Sequence, residues 1–110
     1  MWNVPTKKRL EQIPRLYETE HTPLQDKIIH LHFFIAGCDW YICEWDGADL
    51  FWGFCHLGDD TCAEWGYVSF RELKDLKING CFEVDCESEV YLQAQKAADI
   101  PLIKRANGWD

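Results

Sequence analysis

The longest apolar run of the chain lies between Lys27 and Ala36. Ile29, Leu31, Phe33 and Ile35 alternate there with Ile28, His30, His32 and Phe34, so both faces of an extended segment are largely apolar. That pattern predicts a strand covered on both sides and central in its sheet. Gly37-Cys38-Asp39 reads as a turn, and Trp40 to Trp45 as a second strand. Asp46-Gly47 is a hairpin signal, because Gly takes positive φ without steric cost. Leu50 to His56 is then the third strand, its interior Gly53 marking a bulge or a close backbone approach. After the turn Leu57-Gly58-Asp59-Asp60-Thr61, Glu64 to Val68 is a fourth. Cys81 to Cys86 alternates Phe82, Val84 and Cys86 with Glu83 and Asp85, the pattern of a half-exposed strand.

Helical signals are short. Thr6 is an N-cap for a helix through Ile13, where Leu10 and Ile13 share one face and Pro14 stops it. Residues 17–26 are polar, contain Pro23 and read as a loop. Ser69-Phe70-Arg71-Glu72 has the form of a capping box and predicts a helix from Phe70 to about Leu76, stopped at Asn79-Gly80. Val90, Tyr91, Ala94, Ala97 and Ala98 recur at helical spacing after Ser88, which predicts a last helix up to Asp99, ended by Pro101. A strand around Val90–Gln93 is the competing reading. Together these elements predict an α+β fold: one domain over residues 1–110, with a four- to five-stranded, mainly antiparallel sheet and two to three short helices. The connections between the middle strands are too short for the crossovers of a parallel sheet.

Composition narrows the function classes. At 47% hydrophobic and 15% aromatic residues the chain builds a core, which excludes a disordered acidic tail. No stretch reaches the roughly 20 apolar residues of a membrane span, and the first residues lack an apolar leader core, so a cytoplasmic protein without membrane contact is expected. Lys and Arg number 11 against 19 Asp and Glu, a net charge of −8. The imbalance is local. From Ile28 to Phe70 there is neither Lys nor Arg, while Asp39, Glu44, Asp46, Asp49, Asp59, Asp60 and Glu64 all fall there. The same stretch holds Trp40, Trp45, Trp52 and Trp65, which are most simply core residues. Aromatics without a basic groove repel phosphates, so direct nucleic-acid binding is not expected.

Several tempting sites weaken on inspection. Cys38/Cys43 and Cys81/Cys86 share a C-x4-C spacing, with Cys55 and Cys62 between them. Strand residues five apart point to opposite faces about 16 Å apart, which does not suit a zinc tetrahedron; small buried hydrophobes are the simpler reading. Cys55-His56 cannot form a thiolate dyad, since neighbours on a strand face opposite ways. His30 and His32 share one strand face and form the better metal pair, with Glu44 a candidate third ligand. The acidic turns lack the twelve-residue calcium loop, and no phosphate-cradling or nucleophile-elbow motif is present. No residue is expected to be catalytic and no cofactor is implied.

Four segments carry a resemblance: Leu16 to Ile28, Asp39-Trp40-Tyr41, Glu44 to Gly53 and Glu64 to Leu73. In combination, over roughly residues 5–90, they resemble a family of small bacterial proteins classified only as a domain of unknown function. The resemblance implies a setting on plasmids, integrated elements and phage-like regions; it implies no activity and does not include the cysteines. The expectation is therefore a non-enzymatic acidic binding protein. Asp46, Asp49, Asp59, Asp60 and Glu64 would form an acidic face that imitates nucleic-acid charge and blocks a basic, nucleic-acid-handling protein, as an anti-restriction or anti-CRISPR protein would. The alternative is a small metal-binding domain or metalloenzyme using His30, His32 and nearby cysteines.

Overall fold

Turn chemistry organises the centre of the molecule, seen in a computed structural model that describes residues 1–78, 80 and 82–109. Asp46 Oδ1 accepts hydrogen bonds from the backbone N–H groups of Ala48, Asp49 and Leu50, and Gly47 takes φ 91. This joins strand β3 (Cys38–Trp45) to β4 (Leu50–Leu57). A single 3-10 turn at Asp60–Cys62 then leads into β5 (Glu64–Ser69). On the other side β3 pairs with β2 (Leu31–Ile35), which follows the two-residue β1 (Ile28–Ile29). The main sheet has the order β5-β4-β3-β2-β8, with β8 at Asp85–Cys86, and every pairing in it is antiparallel. Two small sheets flank it: β6 (Lys77–Ile78) with β7 (Phe82–Glu83), and β1 with β9 (Gln95–Lys96). The fold is α+β, as the sequence predicts.

Helix α1 (Lys7–Glu11) starts at Thr6, whose Oγ1 accepts from the Arg9 N–H, and α2 (Phe70–Asp75) starts at Ser69, whose Oγ accepts from the Glu72 N–H. Both act as N-caps for otherwise orphaned donors. They bring Ile13, Phe70 and Leu73 onto one face of the sheet, against Leu31, Phe33, Ile35, Trp40, Ile42 and Phe51. Phe33, Phe51 and Phe70 meet there with ring centroids 5.3–5.8 Å apart. The opposite face carries Tyr41, Cys43 and Phe54 and is covered by Ala97, Ile100 and Ile103.

Two expectations need correction. The strand covered on both faces is β3, which supplies Trp40 and Ile42 to one core and Tyr41 and Cys43 to the other. β2 buries only Leu31, Phe33 and Ile35; His32 is half-buried and Phe34 exposed, because the cover on the second face stops short of them. The last helix is also displaced. Residues 88–92 turn back, Tyr91 and Leu92 donating to the Ser88 carbonyl, and neither a helix nor a strand occupies Val90–Gln93. Helix α3 is Pro101–Asn107, so Pro101 opens a helix rather than ending one. Its missing N–H and fixed φ suit a first helical position. The Cys81 and Asn79 readings lie outside the described residues.

One irregularity shapes the sheet. The β3–β4 register shifts between Ile42, opposite Gly53, and Glu44, opposite Trp52. This bulge puts one extra residue into β3 and turns Glu44 onto the face that carries Cys43. Gly53 allows it, since a Cβ there would lie 1.9 Å from the Tyr41 carbonyl oxygen.

Candidate interaction site

The five carboxylates expected to form an acidic face fall into two groups at opposite ends of β4. Seven steps of about 3.3 Å separate those ends by roughly 23 Å. Asp46 holds the hairpin turn, its backbone hydrogen bonds, Ala48 first, keeping its carboxyl below the usual range. Asp49 accepts from Ser69 Oγ at 2.5 Å and from the Arg71 N–H at 2.7 Å. Asp59 caps the 3-10 turn through the Thr61 N–H. Asp60 is gripped at 3.0 Å by both Nε and Nη2 of Arg105 in α3 and at 2.7 Å by His56 Nε2, and Arg105 leads in pulling its pKa down to about 2. Glu64 sits opposite Cys55 on β5. The structure does not gather them: four of the five are engaged by backbone or cation partners.

The histidine pair does not converge either. His30 opens onto a hollow with Arg9, Gln12 and Glu89, whereas His32 opens onto a different one with Asp39 and Glu87. Glu44 lies at the far end of β3, bonded to the backbone N–H groups of Tyr17 and Thr19. Among the described residues the cysteines are free thiols. Burial pushes Cys43 up to about 12 and Cys55 and Cys86 up to about 11, which leaves them protonated at neutral pH.

A site the sequence reading did not single out lies where cover of the second sheet face ends. Phe34 of β2 stands opposite Asp39 of β3 on one side and Asp85 of β8 on the other. Cross-strand partners share a face, so the aromatic ring is flanked by two carboxylates. Three adjoining hollows of about 520, 480 and 240 Å³ all include Phe34 in their walls. Their other walls bring in Tyr91, Phe82, Trp2, Glu83 and Glu87. Trp2, Phe82, Tyr91 and Phe34 are 87%, 61%, 82% and 40% exposed. Among the described lining residues there is no Lys and no Arg. Bonded to these walls are the terminal ammonium of Met1, on Glu83, and the Arg9 guanidinium, which donates to the Glu87 carbonyl, against four carboxylates.

His32 organises this end. Its Nδ1 is 2.8 Å from Glu87 Oε2, its Nε2 is 2.6 Å from Asp39 Oδ1, and its ring stacks on Tyr41 at 4.3 Å. Burial alone would lower its pKa, but the hydrogen bonds and charges of Asp39 and Glu87 outweigh burial and raise it. The resulting stabilisation is fully present below the ordinary value of 6.5 and is lost as pH rises through the raised folded value. Melting temperature is therefore expected to fall with pH above 6.5 in the wild type and less steeply in His32→Gln. Equal slopes in thermal melts across this range would refute the raised pKa of His32.

Residues 6–103 match the model of the family described as "Protein of unknown function (DUF2958)". The chain belongs to this family. No curated protein and no solved structure matches it. The DUF2958 match runs past the expected limit near residue 90 and reaches into α3, so it spans the whole main sheet and the segment that covers its second face. Trp2 lies outside the matched residues. Among the described residues no helix is long and apolar enough to cross a membrane. For Phe34 the available signal was its place with His30 and His32 on one strand face; for Glu83 and Asp85 it was their alternation with Phe82 and Val84.

Proposed function

We propose that this DUF2958 protein is a non-enzymatic binding module that docks a basic segment of a partner protein in the groove around Phe34. The observation that carries this reading is the conjunction of exposed aromatic rings with carboxylates and no Lys or Arg in the walls. Clustered exposed aromatics mark interaction surfaces, and they supply binding energy that charge alone does not. The carboxylates select a basic partner and speed its approach. A decoy for a phosphate backbone needs free, regularly spaced carboxylates, whereas Asp46, Asp49, Asp59 and Asp60 are tied. The proposed surface is therefore placed where exposed aromatic rings stand beside Asp39, Glu83, Asp85 and Glu87. It rests on those rings and on the excess of carboxylates, since Asp39 and Glu87 hold His32, Glu83 holds the Met1 ammonium and Asp85 accepts from the Asn3 N–H. With the mobile-element setting that the resemblance implies, a nucleic-acid-handling host protein is the proposed class of partner, in the cytoplasm. The raised thiol pKa values favour binding over thiolate catalysis.

A titration with an Arg/Leu amphipathic peptide and its Glu/Leu counterpart tests this. The basic peptide is expected to bind in a salt-dependent manner, and Phe34→Ala with Phe82→Ala to weaken it by about tenfold or more while leaving the melting temperature close to wild type. Equal affinity for both peptides, or a double variant that binds like the wild type, would reject the groove as the docking surface.

A further inference from the structure

A second cavity lies at the other end of β3, independent of the Phe34 groove. It encloses about 210 Å³ and is lined by Tyr17, Glu20, Lys27, Glu44, Trp52 and Tyr67. The bulge in β3 turns Glu44 towards Trp52, its partner across the ladder. Glu44 and Lys27 are each 5% exposed and are linked through Thr19. Lys27 Nζ donates to the Thr19 carbonyl and to Thr19 Oγ1, and that hydroxyl donates to Glu44 Oε2. Glu44 Oε1 accepts from the Tyr17 N–H at 2.9 Å. These bonds hold Tyr17 at φ 72, a left-handed conformation costing a bulky residue on the order of 1 kcal/mol or more. The strained backbone stands the Tyr17 ring at the mouth, where its hydroxyl meets that of Tyr67 at 3.1 Å. Both rings are more than half exposed.

We infer that this cavity binds an organic cation of the guanidinium or methylated-ammonium class. Its aromatic walls open to a guest are the Tyr17 and Tyr67 rings, which attract such cations; the Trp52 ring is already stacked on Trp65 and lies beneath the Lys27 ammonium. Its fixed charges are two carboxylates, Glu20 and Glu44, against one ammonium. That ammonium does not offer itself to an anion: it is buried, two of its protons go to Thr19, and it lies over the Trp52 ring at 5.2 Å from the centroid. Glu44 uses three hydrogen bonds from the loop, and an ionised carboxylate accepts about four, so acceptor capacity is left for the guest as well as Glu20. Four of the six lining residues, Tyr17, Lys27, Glu44 and Trp52, belong to structure built around the bulge or the Thr19 bridge; Tyr67 comes from β5 opposite Trp52, and Glu20 adds the charge at the rim.

An NMR titration of the intact protein tests this, following the Trp52 indole N–H against tetramethylammonium, methylguanidinium, sodium chloride at matched ionic strength, and sodium acetate. The two organic cations are expected to give a saturable shift in the millimolar range, weakened about fivefold or more in Tyr67→Ala and in Glu20→Gln. Both substitutions are at exposed rim positions, and circular dichroism confirms that the variants fold. A saturable response to acetate, no saturable response to the cations, or variants that bind as well as wild type would each overturn the assignment. Peptide binding at the Phe34 groove is read separately, so failure here leaves that result intact.

Discussion

Gly53→Ala is expected to lower the melting temperature by more than about 15 °C. The added methyl would sit 1.9 Å from the Tyr41 carbonyl oxygen and 3.0 Å from the Ile42 Cα, both backbone atoms of the adjacent strand. No side-chain rotation relieves such a contact, so β4 has to move away from β3 at the centre of the sheet. Overpacking costs about 1–3 kcal/mol, and each ladder hydrogen bond stretched open adds about 1 kcal/mol. A total near 4 kcal/mol is a large part of the 5–15 kcal/mol typical of a domain, and each kcal/mol shifts melting by about 4 °C or more at this size. The internal control is the cross-strand partner of Gly53. Gly66 of β5 has open space where its Cβ would go, and Gly66→Ala is expected to stay within about 0.5 kcal/mol of wild type. Thermal melts of the two variants that coincide would show that the close approach at Gly53 is not real.

Glu44→Ala is the second large effect. It removes the acceptor for the Tyr17 and Thr19 N–H groups and for the Thr19 hydroxyl, and leaves the buried Lys27 ammonium without the carboxylate at the other end of the Thr19 bridge. Removing one member of a buried charged pair costs about 3–5 kcal/mol, much of it the penalty on the charge left behind. Chemical denaturation should show a loss of that size, with the 17–22 loop exchanging its amide protons faster. Lys27→Met in the same chain removes the stranded charge. The double variant Lys27→Met/Glu44→Ala is therefore expected to be more stable than the sum of the single losses by about 1 kcal/mol or more. Strict additivity would mean that Lys27 and Glu44 act on the loop separately.

The central meander was legible because its instructions are local. Asp46-Gly47, the Gly58–Asp60 turn and the Thr6 and Ser69 caps each act on backbone within four residues, and each does so in the structure. Gly53 signalled a close approach, and the structure has one. The C-terminal third was not legible in this way. Helical spacing from Val90 to Ala98 arises in a segment that turns back, and Pro101, read as a stop, serves as a start. The two apolar faces of β2 look alike in sequence; which is covered depends on where α3 and its flanking segment pack. The acidic residues show a more general point. Asp is favoured in turns and caps because its carboxylate satisfies nearby N–H groups, so the aspartates that stood out at the strand ends were the ones the backbone had already engaged. Asp60 is held by Arg105, 45 residues later in the chain, a partner that no local pattern announces. Phe34 and its flanking Asp39 and Asp85 come together only through strand pairing, with Asp85 reached from β8.

The placement of Ala97, Ile100 and Ile103 over Tyr41 and Phe54 has a consequence during synthesis. On the ribosome the meander can pair as soon as it emerges, while the apolar side of the sheet that these late residues seal stays wet until some forty further amino acids have been added after Phe54. A nascent chain in that state exposes aromatic surface to its neighbours, the situation in which chaperone capture and aggregation compete with completion. Slow translation through this last stretch would prolong the exposure, whatever the stability of the finished protein.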